Sequence, residues 1–273
     1  MMKYRLIAMD LDGTLNNDEK KITPRTRDAL MAAQAAGIRL ALASARPSPG
    51  LYKERDALRM QEHRGVLMSY NGGRIVDAAT GETLFETSMP MEAAREVLRA
   101  LEKLPVTPIL DDGRQFYVTD RNGYKVDYEC RNNGMVCDEV ANLADFLHFA
   151  PVKILMSVNP KQIAAVQREI ASLLPENLTV VQTAAFYLEV IPRAINKGQG
   201  ILDICRALQM QPEEVVAFGD AENDIPMLRA AGIPVAMENG EDSVKAVSRL
   251  IAPDHNLGGV GLVLERYLLQ KES

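Results

Sequence analysis

Leu6-Ile7-Ala8-Met9-Asp10-Leu11-Asp12-Gly13-Thr14-Leu15 is the stretch whose reading decides the fold. Its first residues are apolar without alternation, the pattern of a strand buried on both faces, and they run straight into two carboxylates and a glycine. Open α/β sheets present their ligand sites where such a strand stops in a polar loop. Asp10 and Asp12 are two apart, so near a strand end they can face the same side, and two anions held that close repel unless a cation or a shared proton intervenes. A divalent metal is the simplest remedy. Magnesium suits the place, because it takes one or two carboxylates together with waters and substrate phosphate oxygens. Gly13 has no Cβ, so the chain can turn sharply and bring backbone N–H groups close to an anion. An ordinary strand followed by an Asp-Gly turn would show the same letters, so the remaining chain has to decide.

Downstream, β and α patterns alternate. Thr23-Pro24 supplies an N-cap and a first helical residue for a helix over 25–36, with Gly37 as its stop. A second buried strand over 38–43 ends at Ser44-Ala45-Arg46-Pro47, and the helix between the two strands makes them parallel neighbours. A short helix over 51–60, a strand over 65–69 closed by Tyr70-Asn71-Gly72-Gly73, and a hairpin over 74–87 follow. From about residue 83 the pattern changes. A helix over 91–104, short strands over 107–110 and 115–119, a strand over 152–158, a helix over 160–174 and a hairpin over 178–191 predict a small α+β unit. Residues 121–139, polar and rich in Asn and Gly, indicate no element. The β-α alternation then returns with a helix over 200–209 just after Lys197, a strand over 214–218 running into Gly219-Asp220, a helix over 223–231, a strand over 234–237, and helices over 242–249 and 260–270. The expected organisation is a parallel-sheet α/β core, 1–82 and 190–273, interrupted by an inserted domain, 83–189.

Composition narrows the functional class. With 273 residues and 47% hydrophobic content the chain can bury a substantial core. A net charge of −6 and a pI near 5.3 argue against nucleic acid or a membrane surface as the main partner. No apolar run reaches the roughly 18 residues of a membrane span and the N-terminus lacks a signal-peptide pattern, so the expected location is cytoplasmic. Cys130, Cys137 and Cys205 form no CxxC pair and suggest neither a disulfide framework nor a zinc site; Cys205 reads as helix core. His63, His148 and His255 fall in unrelated segments and read as surface residues. The thirteen methionines read as core filling. Nothing in the sequence indicates the oligomeric state.

Asp10, Ser44, Lys197 and Asp220 each fall at a strand end or a helix start, and in a parallel sheet these converge on one edge. The resulting inventory suits phosphoryl transfer through magnesium. Asp10 can attack phosphorus and form an aspartyl phosphate, while Asp12 can protonate the leaving oxygen and later take a proton from water. An acid working at neutral pH calls for a raised pKa at Asp12. Ser44 offers a hydroxyl, Ala45 an N–H, and Lys197 a positive charge. Asp220 would complete the metal's ligands with Asp10 and the main-chain carbonyl of Asp12; Asp224 orients the shell or its waters. Each has an ordinary alternative: Ser44 capping a turn, Lys197 solvated, Asp220 and Asp224 answering a helix dipole.

Asp10-Leu11-Asp12-Gly13-Thr14-Leu15, the Ser44 junction, Asn196-Lys197-Gly198 and Gly219-Asp220-Ala221-Glu222-Asn223-Asp224 together resemble the four motifs of the haloacid dehalogenase-like (HAD) hydrolases. The likeness spans nearly the whole chain, and the insertion between the second and third motifs resembles the C2-type cap of the Cof-type (YidA-like) sugar phosphatases. The resemblance implies Asp10 as nucleophile, Asp12 as general acid/base, and magnesium at Asp10, Asp12 and Asp220. It implies phosphate contacts from the Leu11 backbone, Ser44, Ala45, Lys197 and Asn223. Ala45 departs from the family's usual glycine; an alanine keeps the N–H but would be strained at positive φ. The substrate implied is a small phosphorylated metabolite. A phosphotransferase or phosphomutase of the same superfamily, or a non-enzymatic phosphate-responsive protein, would use much of the same set.

Overall fold

Six parallel strands carry the first unit of the protein. In the computed structural model, which describes residues 4–267, their order across the sheet is Leu250–Ala252, Ile233–Met237, Val215–Gly219, Leu6–Met9, Arg39–Ala43 and Val66–Ser69. Arg74–Asp77 pairs antiparallel with Val66–Ser69, and Thr83–Glu86 closes that edge. Contacts divide the chain into two units, one made of residues up to 85 and from 196 onward, the other of 86–195.

The register explains why the motifs can meet. Met9 stands level with Phe218 on one side and with Leu42 on the other. Asp10, Gly219 and Ala43 therefore follow at the same height. The chain moves outward from Leu6–Met9 through Arg39–Ala43 to Val66–Ser69, then re-enters on the opposite side at Val215–Gly219. That reversal opens the crevice in which doubly wound sheets hold ligands.

Both faces of the sheet are buried, which is why its strands read as continuous apolar runs. Ile7, Met9, Leu40, Leu42, Val216 and Phe218 point to one side, where Leu30 and Ala33 of the Pro24–Ala35 helix and Val260 and Leu264 of the Gly259–Tyr267 helix pack against them. On the other side Leu6, Ala8, Ala41, Ala43 and Ala217 meet Ile201, Ile204 and Cys205 of the Lys197–Ala207 helix and Met227 and Leu228 of Ile225–Ala230. Thr23 caps the first helix as expected, its Oγ1 accepting from Thr26 N, and Gly37 follows at φ +90°. The expected helix end at 268–270 lies outside the described residues.

The 86–195 unit has its own six-stranded sheet, ordered Leu178–Ala184, Tyr187–Pro192, Ile154–Val158, Val106–Asp111, Phe116–Val118 and Cys137–Glu139. Val97, Leu98 and Leu101 of the Met91–Leu101 helix and Ile163, Val166 and Ile170 of Ile163–Leu173 cover one face, in the helical spacing the sequence shows. Residues 121–139, which indicate no element by pattern, hold a helix, Val126–Asn133, and the edge strand Cys137–Glu139. The helix buries only Val126, Glu129 and Asn133, so it has no apolar stripe; it is bounded by Lys125 at φ +61° and Gly134 at φ +62°. Short elements at Leu143–Phe146 and Leu250–Ala252 also escape the pattern, being too brief to show a period. No helix among the described residues is long and apolar enough to cross a membrane.

Candidate active site

Asp10 follows directly on its strand, and its backbone N–H still donates to Phe218 O at 3.1 Å. Its side chain meets Lys197, whose fully buried Nζ donates to Asp10 Oδ1 at 2.5 Å and to Asp224 Oδ1 at 2.6 Å. Asn196 places that lysine. Its side chain accepts from Gln199 N at 2.9 Å as an N-cap, so the helix begins at Lys197 itself, three residues earlier than the 200–209 pattern indicates. Gly198 lets this helix start lie against the next layer, since a Cβ there would fall 2.5 Å from Pro226 O.

Asp220 and Asp224 complete an acidic group. One carboxylate oxygen each from Asp10, Asp220 and Asp224 lie within 4.8 Å of one another. Asp224 is wholly occupied: Oδ1 by Lys197, Oδ2 by the N–H groups of Asp220 and Ala221 at 3.0 and 3.2 Å. Asp220 accepts from Thr14 Oγ1 at 2.6 Å. Gly13, at φ +87°, makes room for it, because a Cβ there would sit 2.4 Å from Asp220 Oδ2. Burial pushes Asp10 up to about 8, with Lys197 opposing and Asp224 and Asp220 adding to the rise. Burial likewise lifts Asp220 to about 6 against the Thr14 bond. Lys197 is raised: burial works against its charge, but Asp10 and Asp224 outweigh it.

These donors fit magnesium. They are all hard oxygens, and the group carries more negative charge than Lys197 balances, which is the imbalance a divalent cation relieves.

Asp12 faces elsewhere. Arg46 grips it through Nη2 at 2.6 Å to Oδ2 and 2.9 Å to Oδ1, and Lys20 Nζ donates to Oδ1 at 2.7 Å. This corrects the expectation of a raised pKa: burial acts upward, but Arg46 and Lys20 overcome it and hold the carboxyl below its ordinary value. The cause is two cations that sequence pattern does not bring together, one 34 residues away and one in the turn after the motif.

The remaining expected residues surround the same edge. Ser44 is buried and its Oγ accepts from Arg46 N at 3.2 Å, which is the turn-capping geometry; its carbonyl accepts from Asn71 N at 2.8 Å. Ala45 is absent from the positive-φ residues, so alanine keeps the N–H without backbone strain. Leu11 is buried and its carbonyl accepts from Asn16 N at 2.8 Å. Asn223 Nδ2 donates to Asn71 Oδ1 at 3.1 Å. His255 is half-buried: its side chain is 10% exposed and its Nε2 lies 3.1 Å from Asp18 Oδ1. Arg46, Lys20, Thr14, Asn71 and Asn239 are neighbours the pattern did not single out. Thr14 lies inside the first motif and Arg46 beside Ser44, whereas Lys20 and Asn239 carry no motif signal.

A doubly wound sheet with a strand-end carboxylate, a buried ammonium and an acidic group at its switch point defines an α/β protein whose ligand site lies at that edge. A model of the family described as haloacid dehalogenase-like hydrolase matches residues 7–264, and the chain belongs to that family. A solved structure of a haloacid dehalogenase-like hydrolase from Bacteroides thetaiotaomicron is 31% identical, with a TM-score of 0.92 over 96% of this chain and 99% of its own. Another, described as an HAD subclass IIB sugar phosphatase, shares the fold at a TM-score of 0.79, 22% identity and coverage of 96% and 98%. The 5-amino-6-(5-phospho-D-ribitylamino)uracil phosphatase YitU of Bacillus subtilis is 26% identical over 275 residues, 97% of this chain and 98% of the relative.

Proposed function

We propose that the protein is a magnesium-dependent phosphatase that hydrolyses a small phosphorylated metabolite, a sugar phosphate, through an aspartyl phosphate on Asp10. The observation that carries this reading is the Asp10–Lys197 contact beside Asp220: a strand-end carboxylate paired with a buried ammonium, next to a second acid. The relative named for a ribityl phosphate substrate supports the substrate class.

In this reading Asp10, Asp220 and the Asp12 carbonyl hold magnesium, and Asp224 orients Asp220 and Lys197. When bound, the ion supplies positive charge that favours the ionised forms of Asp10 and Asp220 and offsets charge on the phosphoryl oxygens. Lys197 occupies Asp10 Oδ1, leaving Oδ2 to bond phosphorus as the bond to the leaving oxygen breaks. Backbone N–H groups of Leu11 and Ala45, the Ser44 hydroxyl, Lys197 and Asn223 face the other phosphoryl oxygens. Asp12 gives the leaving oxygen its proton, then takes one from the water that cleaves the aspartyl phosphate. Its ionised resting form fits the second role. For the first, the charge of an arriving phosphate dianion beside Asp12 favours its protonated carboxyl, while Arg46 and Lys20 keep that carboxyl's direction.

Every residue in this scheme lies in the first unit. The inserted domain spans 83–189 by pattern and 86–195 by contacts.

Phosphate release from a panel of phosphorylated metabolites, with and without magnesium, tests the proposal. Turnover that needs the metal and vanishes in Asp10→Asn is expected. Transfer to an added acceptor sugar in place of free phosphate would make the protein a phosphotransferase, and a folded, metal-loaded protein inert on the whole panel would end the reading.

A further inference from the structure

The turn after the Asp10 loop is clasped by the turn His255–Leu257, which precedes the helix Gly259–Tyr267. Asn16 bridges to Asp12 and to Ile22, and Asn17 Oδ1 accepts from the N–H groups of Glu19 and Lys21 at 3.1 and 3.0 Å. Lys20, at φ +56°, turns back so that its ammonium reaches Asp12 Oδ1 at 2.7 Å. Two residues earlier, Asp18 is gripped from across 237 residues of sequence. His255 Nε2 lies 3.1 Å from Asp18 Oδ1, Asn256 Nδ2 donates to Oδ2 at 3.2 Å, and Asp18 N donates to Asn256 Oδ1 at 3.0 Å. The His255 backbone N–H donates to Asn239 Oδ1 at 3.1 Å, and Asn239 Nδ2 donates to Gly13 O at 2.8 Å. His255 therefore fixes both residue 13 and residue 18, the two shoulders of the turn that carries Lys20.

We infer that His255, Asn256 and Asp18 form a positioning clasp for the proton-transfer step: they hold Lys20 on Asp12, and Lys20 with Arg46 fixes the direction in which the Asp12 carboxyl faces the leaving oxygen. The inference rests on the phosphatase reading above. Three groups locked to one another by three side-chain and backbone bonds are more than a solvated turn requires. A salt bridge as exposed as Lys20–Asp12 is worth little unless its geometry is held by something else.

The test compares phenyl phosphate with p-nitrophenyl phosphate in magnesium. Phenolate, the conjugate base of an acid with pKa about 10, needs a proton as it leaves, whereas p-nitrophenolate departs without one. Asp18→Ala, whose side chain is exposed enough to be removed without unfolding, and Lys20→Met should lower kcat/KM for phenyl phosphate roughly tenfold more than for p-nitrophenyl phosphate. His255→Ala should do the same, and Asp12→Asn should show the largest ratio. Equal losses on both substrates, or no loss, in the Asp18 and Lys20 variants would overturn the clasp while leaving the phosphatase reading standing. A wild-type protein inert on both substrates would overturn both together.

Discussion

Lys197 Nζ bridges Asp10 Oδ1 at 2.5 Å and Asp224 Oδ1 at 2.6 Å, joining the first and last motifs of the chain through one buried ammonium. Removing it leaves buried carboxylates without their cation. Lys197→Met is expected to destabilise the protein by about 3–5 kcal/mol, most strongly at high pH where those acids cannot escape into their neutral forms. Urea denaturation at several pH values measures this, and phosphate release should fall below detection in the same variant.

The acidic group couples pH to stability and, on the proposed reading, to metal binding as well. Asp10, pushed up to about 8, and Asp220, at about 6, hold protons in the metal-free fold that the unfolded chain would already have released. Because their folded pKa values lie above the unfolded ones, the metal-free protein should lose stability as pH rises from about 4 through 6 to 8. Magnesium needs the ionised carboxylates, so its binding near neutral pH should release protons and its affinity should rise with pH. Calorimetry in buffers of different ionisation enthalpy reads the proton release, and Asp220→Asn should flatten the pH dependence of thermal unfolding.

Arg46 sets the state of Asp12. Its guanidinium, with Lys20, holds that carboxyl below its ordinary value against burial. Arg46→Ala should therefore raise the Asp12 pKa, which carbon-13 NMR titration of the carboxyl would follow directly. The sign carries to stability: a depressed folded pKa contributes stability above the unfolded value that is lost as pH falls through the folded one, so the variant should lose less on acidification below about pH 4.

In the 86–195 unit Lys153 Nζ donates to Glu189 Oε1 at 2.7 Å, both nearly inaccessible. Lys153→Met alone should cost about 3–5 kcal/mol, and the double variant Lys153→Met, Glu189→Leu should recover only part of it, because Glu129 and Asp111 also face that ammonium. Thermal unfolding of the three proteins checks this.

The sequence by itself determined the parallel sheet, the interrupting α+β unit, the strand-end positions of Asp10, Ser44 and Asp220 and the helix-start position of Lys197. Apolar runs broken by Asp-Gly and capped helices are local signals, and parallel pairing forces strand ends onto one edge. Only tertiary structure decided what each side chain touches. Asp12 pairs with Arg46 and Lys20 and falls in pKa instead of rising; Ser44 caps a turn; half-buried His255 grips Asp18. The helix Val126–Asn133 is decided the same way, by left-handed residues at its ends and a few buried side chains, not by a stripe. Period and motif record how a segment folds along the chain, whereas proton affinity depends on charges brought close through space, and nothing along the chain records those distances.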